Sequence, residues 1–504
     1  MKKILIVFII LSFLFIPGRV FAGEKKVKVL LYKDPAYVEI DGNVTVSVFG
    51  ENFPLSSLFI YQEKEEKGDL RLRVGVFVNL KDALNYAVSI RGKINSKKVI
   101  ILKREGKFNV DIGSFNSIEQ LEAFKLLYKS IIPFSMNKEV SGLFISLDDG
   151  RLSFEVERKE LEGDFSCIHG NEGFVKINGV RYRGEINIIK YTFSIYFINK
   201  VSLEDYVKGV VPSEMPESFN IEALKAQAVA SRTYVLYKMK SGSLYDVTST
   251  PDTQAYLGMD KETEKTNRAV SETEGEVLMY GGKIITAVYH STSGGFTENN
   301  ENVWNSSPVP YLRGVDSPYE ERSPHFIWTK YVTNYRVQMV IKKYIEKNDL
   351  PYIGEVLGFK ILKKGVSPRV VLIEVIGRFG RLNLRGTTFS NLFGLKSTWF
   401  TFKFKRYKTP FVHSFLSVVE RTPFFRGTMN KFVGFFAAYE EKTYRTEGIP
   451  PRRWDIVEFD GKGWGHGVGM SQWGAEGFAE KGWNYKDILF HFYQGTELVK
   501  LNED

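Results

Sequence analysis

Ser202-Leu203-Glu204-Asp205-Tyr206-Val207-Lys208-Gly209-Val210-Val211-Pro212-Ser213-Glu214-Met215-Pro216 is where the pattern of this chain changes. Before it, short strands alternate with turns; after it come helical and polar runs. Ser202 followed three residues later by Asp205 forms a capping box, which starts a short helix through Tyr206 and Val207. Pro212 and Pro216 each disfavour the α conformation in the residue before them. This predicts that Glu214 stands on a stiff, non-helical elbow between two helices. The second helix runs from Ile221 to about Met239, and Ala223, Ala226, Ala228 and Ala230 let another element approach it closely. Lys225 and Arg232 are seven residues apart, two turns along one face. A fixed carboxylate beside two cations suits acid–base work on a polyhydroxyl substrate. The same residues equally suit a helix-start charge and a solvated face.

Upstream, the segment from Leu152 to Val201 reads as short strands with turns at Asn178-Gly179 and Arg183-Gly184. Val27–Leu31, Tyr37–Ile40 and Val44–Phe49 are further β-rich runs, separated by the turn formers Asp34-Pro35 and Asp41-Gly42. Glu63–Asp69 reads as a charged linker. An internal near-repeat follows: the strand Leu72–Phe77 precedes helically spaced Ala83, Leu84, Ala87 and Ile90, and Asn109–Phe115 precedes Leu121, Phe124, Leu127 and Tyr128. With Lys98–Lys103 and Leu143–Leu147 as strands, the order is βαββαβ.

At the N-terminus, Lys2 and Lys3 precede an apolar run from Ile4 to Ile16, and Val20-Phe21-Ala22 offers a cleavage site. That order predicts a secretory signal over residues 1–22, with an uncleaved anchor as the alternative. No later segment is long and apolar enough to span a bilayer, so no membrane span is expected after signal cleavage. Cys167 is the sole cysteine, which excludes an intrachain disulfide. Lys and Arg number 69 against 59 Asp and Glu. In an exported chain that excess suits anionic wall polymer or a membrane surface, or simply solubility, and nucleic acid is not an expected partner.

Downstream, Tyr289-His290-Ser291-Thr292-Ser293-Gly294-Gly295-Phe296-Thr297-Glu298-Asn299 follows the strand-like Ile284–Val288. A small-polar loop after a strand is either a site element or a capped turn. Ser293 with His290 is a poor nucleophile pair, because no Gly-x-Ser-x-Gly elbow and no third partner accompany them. Gly463-Trp464-Gly465-His466-Gly467-Val468-Gly469-Met470-Ser471-Gln472-Trp473-Gly474 places glycine at every second position. As a strand it would leave one face bare for a ligand or another backbone, with Trp464, His466 and Val468 on the other. The indole would suit stacking on a sugar ring. The spacing does not fit a dinucleotide-binding loop. His290, His466 and His491 contain no His-x-x-x-His pair, which argues against a metal hydrolase.

Taken together, these runs resemble the stage II sporulation protein D and amidase-enhancer family. The residues that carry the likeness are Leu203–Val207, Gly209–Pro216, Glu222–Ala228, Ser231–Tyr234, Tyr289–Gly295, Asn391–Ser397 and the glycine-alternating run ending at Gln472. The likeness spans roughly Gly173 to Leu498. The span from about Leu70 to Gly150 resembles a sporulation-related repeat (SPOR) domain, or else is a generic α+β packing module. The family resemblance implies peptidoglycan lytic transglycosylase activity on glycan strands stripped of stem peptides, with Glu214 as catalytic acid–base. It also implies a role for Lys225 and Arg232. Expected substrate-binding residues are Lys225, Arg232, His290, Ser293, Trp464, His466 and Gln472. The alternative is a non-catalytic glycan-binding enhancer of a cell-wall amidase. Some members of the family bind zinc through His and Cys before a Gln-Ala-Tyr element. Asp246–Tyr256 contains neither residue, so no metal and no cofactor are expected.

The fold expected is α+β: a mixed catalytic domain with many short strands and a few helices, preceded by a small βαββαβ module. The division expected is a signal peptide over 1–22, a β-rich segment over 23–65, the SPOR-like module over 66–150 and the catalytic domain over 151–504. A Phe-, Arg- and Lys-rich insertion from about 401 to 460 reads as a lid, a binding loop or a peripheral addition. The chain is expected in the periplasm, in the wall or on the outer face of the cytoplasmic membrane.

Overall fold

A computed structural model describes residues 25–33, 37–48, 51–62, 70–91, 98–104, 107–115, 120, 121, 123, 124, 135–138, 142–147, 152–157, 163–191, 194–240, 242–407, 415, 440–444, 448–450 and 453–501. The expected signal segment, the Glu63–Asp69 linker and most of 408–439 lie outside these residues. The architecture is α+β, with a few helices set among many strands in several sheets.

The largest sheet grows from a hairpin. Gly163–Ile177 turns into Val180–Tyr191 through Asn178 and Gly179, both at positive φ (47° and 84°), the conformation that an Asn-Gly hairpin turn demands. Ser194–Ser202 adds antiparallel to Val180–Tyr191, and Lys26–Lys33 adds antiparallel to Ser194–Ser202. On the other side Tyr37–Val48 pairs with Gly163–Ile177. The β-rich N-terminal segment is thus woven into the sheet that leads to the Ser202 helix. Asp41-Gly42, expected as a turn between two strands, instead sits in a register shift inside the single strand Tyr37–Val48. A bulge absorbs the extra residues there without ending the pairing.

Further along the same sheet lie Leu70–Phe77, Lys98–Arg104 and Lys107–Phe115, with the helix Leu80–Arg91 packed on them through Ala83, Ala87 and Ile90. Ser135–Lys138 pairs with Leu70–Phe77. Leu143–Leu147, expected as the closing strand of this unit, instead lies in Gly142–Leu147 between Glu51–Gln62 and Leu152–Glu157. Most of the second expected helix falls outside the described residues.

The helix Leu203–Glu214 packs against the end of this sheet, and the alanine-rich helix Ile221–Lys238 packs on that helix in turn. The second is buried almost all round: every residue from Ala226 to Val235 is inside. A helix apolar on all sides belongs in a core, and the small alanines let Glu264–Ser271, Gln472–Glu480 and Glu276–Tyr280 close on it.

A second core lies between residues 327 and 462. Ile327–Thr333, Ile456–Lys462, Phe400–Tyr407 and Glu440–Tyr444 form one sheet, and Val356–Lys364, Val370–Gly377 and Arg381–Arg385 form another. Phe359 is fully buried at its centre, ringed by Phe389, Phe402, Phe404 and Phe459. The described parts of the expected 401–460 insertion therefore build a core rather than hang from one. No helix among the described residues is long and apolar enough to cross a membrane.

Candidate active site

Ser202 caps the elbow helix as its sequence predicts, its Oγ accepting from the Asp205 amide at 3.2 Å. The helix does not stop before Pro212, however. It continues through that proline to Glu214, which is its last helical residue rather than part of a non-helical elbow. Pro212 lies in the last turn, where one lost backbone donor is tolerable. Ser213 Oγ donates to the Gly209 carbonyl at 2.7 Å. The stop comes at Met215, extended at φ −128°, as the residue before Pro216 must be.

The Glu214 carboxyl is half-buried and held from both sides. Oε1 accepts the Ala255 backbone N–H at 2.6 Å, and Oε2 accepts from Gln472 Nε2 at 3.3 Å. Tyr289 hydrogen-bonds to it as well. Burial raises the carboxyl above its ordinary range, against the opposing pull of these three donors. Gln254 stands behind the site, accepting from Tyr206 Oη and donating to Tyr289 Oη, each at 3.0 Å.

Gln472 reaches Glu214 because Tyr289–His290 pairs in parallel with Met470–Ser471, and the helix Gln472–Glu480 starts there on the Ser471 cap. The glycine-alternating run does not form the expected strand. Gly463, Gly465, Gly467 and Gly469 all adopt positive φ (76°, 102°, 82° and 68°), so the run coils as a ribbon. Its bare positions face protein rather than ligand. A Cβ on Gly469 would lie 2.2 Å from the Val288 carbonyl, and one on Gly467 would lie 2.4 Å from Arg369 Cζ. Arg369, buried and reaching in from the second core, donates to the carbonyls of Gly465 (3.1 Å) and Ser293 (2.8 Å). Burial lowers its guanidinium to about 10, which leaves it charged at neutral pH.

These elements enclose a cleft of about 910 Å³ lined by Glu214, Tyr289, His290, Trp464, His466 and Gln472, with Tyr237 and Trp304 also on its walls. Trp304 and Trp464 are 39% and 47% exposed, so their rings are open to a ligand. His290 Nδ1 lies 3.2 Å from the Val468 carbonyl, and its ring stands 5.4 Å from that of His466. Burial holds His290 well below the usual imidazole value and lowers His466 to about 4, so both rings are neutral near pH 7.

Five of the sequence-predicted residues therefore meet in one cleft: Glu214, His290, Trp464, His466 and Gln472. Lys225, Arg232 and Ser293 lie outside it. Lys225 pairs with Glu222 (2.9 Å) and Glu272 (2.6 Å). Arg232 is fully buried in a two-pronged pair with Glu204, not on a solvated face, because its helix is enclosed on all sides. Ser293 is buried and donates to Glu320 at 2.8 Å. Tyr289, Gln254, Trp304 and the Ala255 amide were not anticipated, although all but Trp304 lie within runs already singled out in the sequence. Among the described residues, no group of three or more His, Cys, Asp or Glu is placed to hold a metal.

Fold and cleft place the chain among α+β proteins that hold one half-buried carboxyl in an open, aromatic-walled cleft. The family model described as stage II sporulation protein matches residues 191–280, the stretch that contains both helices and Ala255. The chain is 30% identical to stage II sporulation protein D of Bacillus subtilis (strain 168) over 385 residues, covering 73% of this chain and 90% of that one. It is 34% identical to an amidase enhancer of the same organism over 397 residues, covering 73% of this chain and 53% of the enhancer. An uncharacterised protein of Brachyspira hyodysenteriae is 29% identical over 398 residues, or 76% and 88% of the two chains. This chain belongs to the stage II sporulation protein family.

Proposed function

We propose that this protein is an exported lytic transglycosylase that cleaves peptide-stripped peptidoglycan strands, with Glu214 as its acid–base residue. The observation that carries the reading is the Glu214 carboxyl itself. It is half-buried with its pKa raised, and it lies in a cleft whose exposed rings Trp304 and Trp464 suit sugar stacking. Protonated Glu214 donates to the glycosidic oxygen as the bond to C1 of the muramoyl sugar breaks. The carboxylate so formed is held by the Ala255 amide, Gln472 and Tyr289, and takes the proton of the sugar's own 6-hydroxyl. That oxygen closes on C1, which gives a 1,6-anhydromuramoyl end and returns Glu214 to its protonated form. No water is consumed, so one carboxyl serves both steps, unlike the two-carboxylate plan of hydrolytic glycosidases.

The test is incubation of the mature protein with peptide-stripped glycan, followed by mass analysis of the ends. Anhydromuramoyl ends that vanish in Glu214→Gln support the reading. Reducing ends would instead indicate hydrolysis, with Asp252 on the same cleft as the second carboxylate to examine. The likeness to an amidase enhancer favours one other reading, that of a glycan binder which stimulates a separate amidase. Binding without new ends, together with faster amidase turnover, would select it. Within the proposed enzyme, residues 66–150 would act as an ancillary glycan-binding module ahead of the catalytic part.

A further inference from the structure

Lys396 lies just after the helix Gly386–Phe393, and its backbone carbonyl accepts from the Gly465 amide at 3.0 Å. It is thereby tied to the ribbon that carries Trp464. Its Nζ stands 5.8 Å from the Trp464 ring centroid and 2.9 Å from His325 Nδ1. His325 in turn packs edge-on against Trp464, with ring centroids 4.0 Å apart. Burial, and then the Lys396 charge, hold His325 below the usual imidazole value, so its Nδ1 accepts from the ammonium.

Several half-buried lysines here answer a carboxylate: Lys225 has Glu222 and Glu272, and Lys403 and Lys405 share Glu458. Lys396 is held instead by a neutral ring and an indole. One of its three donors goes to His325, which leaves the others for an acceptor beside Trp464. Trp464 lines the cleft that holds Glu214. A sugar stacked on that indole would bring its substituents within reach of an ammonium already fixed in place.

We propose that Lys396, positioned by His325 beside Trp464, selects for the free lactyl carboxylate of a muramoyl sugar. That carboxylate is an anion only after the stem peptide has been removed, because in a peptide-bearing strand it is a neutral amide. The lysine thus reads a charge that the peptide would erase. This assignment rests on the glycan reading above and adds the residue that decides which glycan is taken.

The experiment compares binding to peptide-stripped glycan with binding to the same strands whose lactyl carboxylates have been converted to methylamides. Wild type is expected to bind the free-carboxylate strand about tenfold more tightly, the worth of one charge-assisted hydrogen bond partly exposed to water. Lys396→Gln removes the preference, read as the ratio of the two affinities. Lys396→Arg keeps the preference. Lys342→Gln also keeps it, as a control for loss of charge on an exposed helix face. Equal weakening on both strands in Lys396→Gln, or no preference in wild type, overturns the assignment alone. If folded wild type binds neither strand, the glycan reading falls and the assignment falls with it.

Discussion

Arg232 and Glu204 meet as two parallel hydrogen bonds, Nε to Oε1 at 2.7 Å and Nη2 to Oε2 at 2.6 Å, across 28 residues of sequence. The arginine is wholly enclosed and also donates to the carbonyls of Glu276 and Val270. It clamps the start of the elbow helix to the middle of the alanine-rich helix, and so sets the angle at which Glu214 is presented. Removing the arginine leaves the partly buried Glu204 carboxylate without its counter-ion and the carbonyls of Glu276 and Val270 without this donor. Arg232→Ala is expected to cost about 3–5 kcal/mol of stability, read as a lower urea midpoint with little change in slope. Arg232→Lys should restore little, because an ammonium cannot make both bonds. Any activity left in folded protein should show an unaltered KM, since the side chain never reaches the cleft.

Glu214→Gln should lower cleavage by about 10²–10⁴-fold while glycan affinity is retained, the signature of a lost proton donor. The same variant reports on stability. The fold disfavours the Glu214 anion, so its folded pKa lies above the unfolded value of about 4.3. Its contribution is therefore fully present below that value and is lost as pH rises through the folded pKa. Glutamine does not titrate. The variant should melt higher than wild type at pH 8 and lose that advantage by about pH 4, as followed by calorimetry.

Tyr289→Phe deletes a donor that favours the Glu214 anion. The carboxyl pKa should rise further, and the alkaline limb of the pH–kcat profile should move to higher pH with it. A limb that stays in place, or moves down, would separate Tyr289 from Glu214. The variant also strips Gln254 Nε2 of its hydroxyl partner, so a loss of about 1–3 kcal/mol in stability is expected alongside.

Gly469→Ala tests the ribbon. At φ +68° a side chain is strained whatever the space around it, and the new Cβ would meet the Val288 carbonyl. The backbone strain alone costs about 1–3 kcal/mol, and the clash would displace Tyr289–His290 from Met470–Ser471. A lowered melting temperature with cleavage lost more than binding is the expected pattern. Gly482→Ala, at φ +88° with open space around it, should cost only the strain.

What the sequence determined by itself is local. Ser202 starts its helix, Asn178-Gly179 turns a hairpin and Pro216 ends the elbow helix, because each effect acts within a few residues on steric limits and unpaired amides. The family pattern likewise marked Glu214, Trp464 and Gln472, which stand in unusual runs. The reading of Pro212 as a stop was wrong, since a proline so close to the helix end removes only one intrahelical bond, to the Lys208 carbonyl, and the helix runs on to Glu214. So was the reading of the glycine run as a strand, because alternation alone does not distinguish an extended chain from one at positive φ. Tertiary structure decided the rest. Arg232 went inside because its helix is covered on every face, which no period along one helix reveals. Gln472 reaches Glu214 across 258 residues, and Ala255 reaches it across 41. Those contacts, and the desolvation that lifts the carboxyl's pKa, come from packing between distant segments. Only the folded chain brings together the donors and the low-dielectric wall that one carboxyl requires.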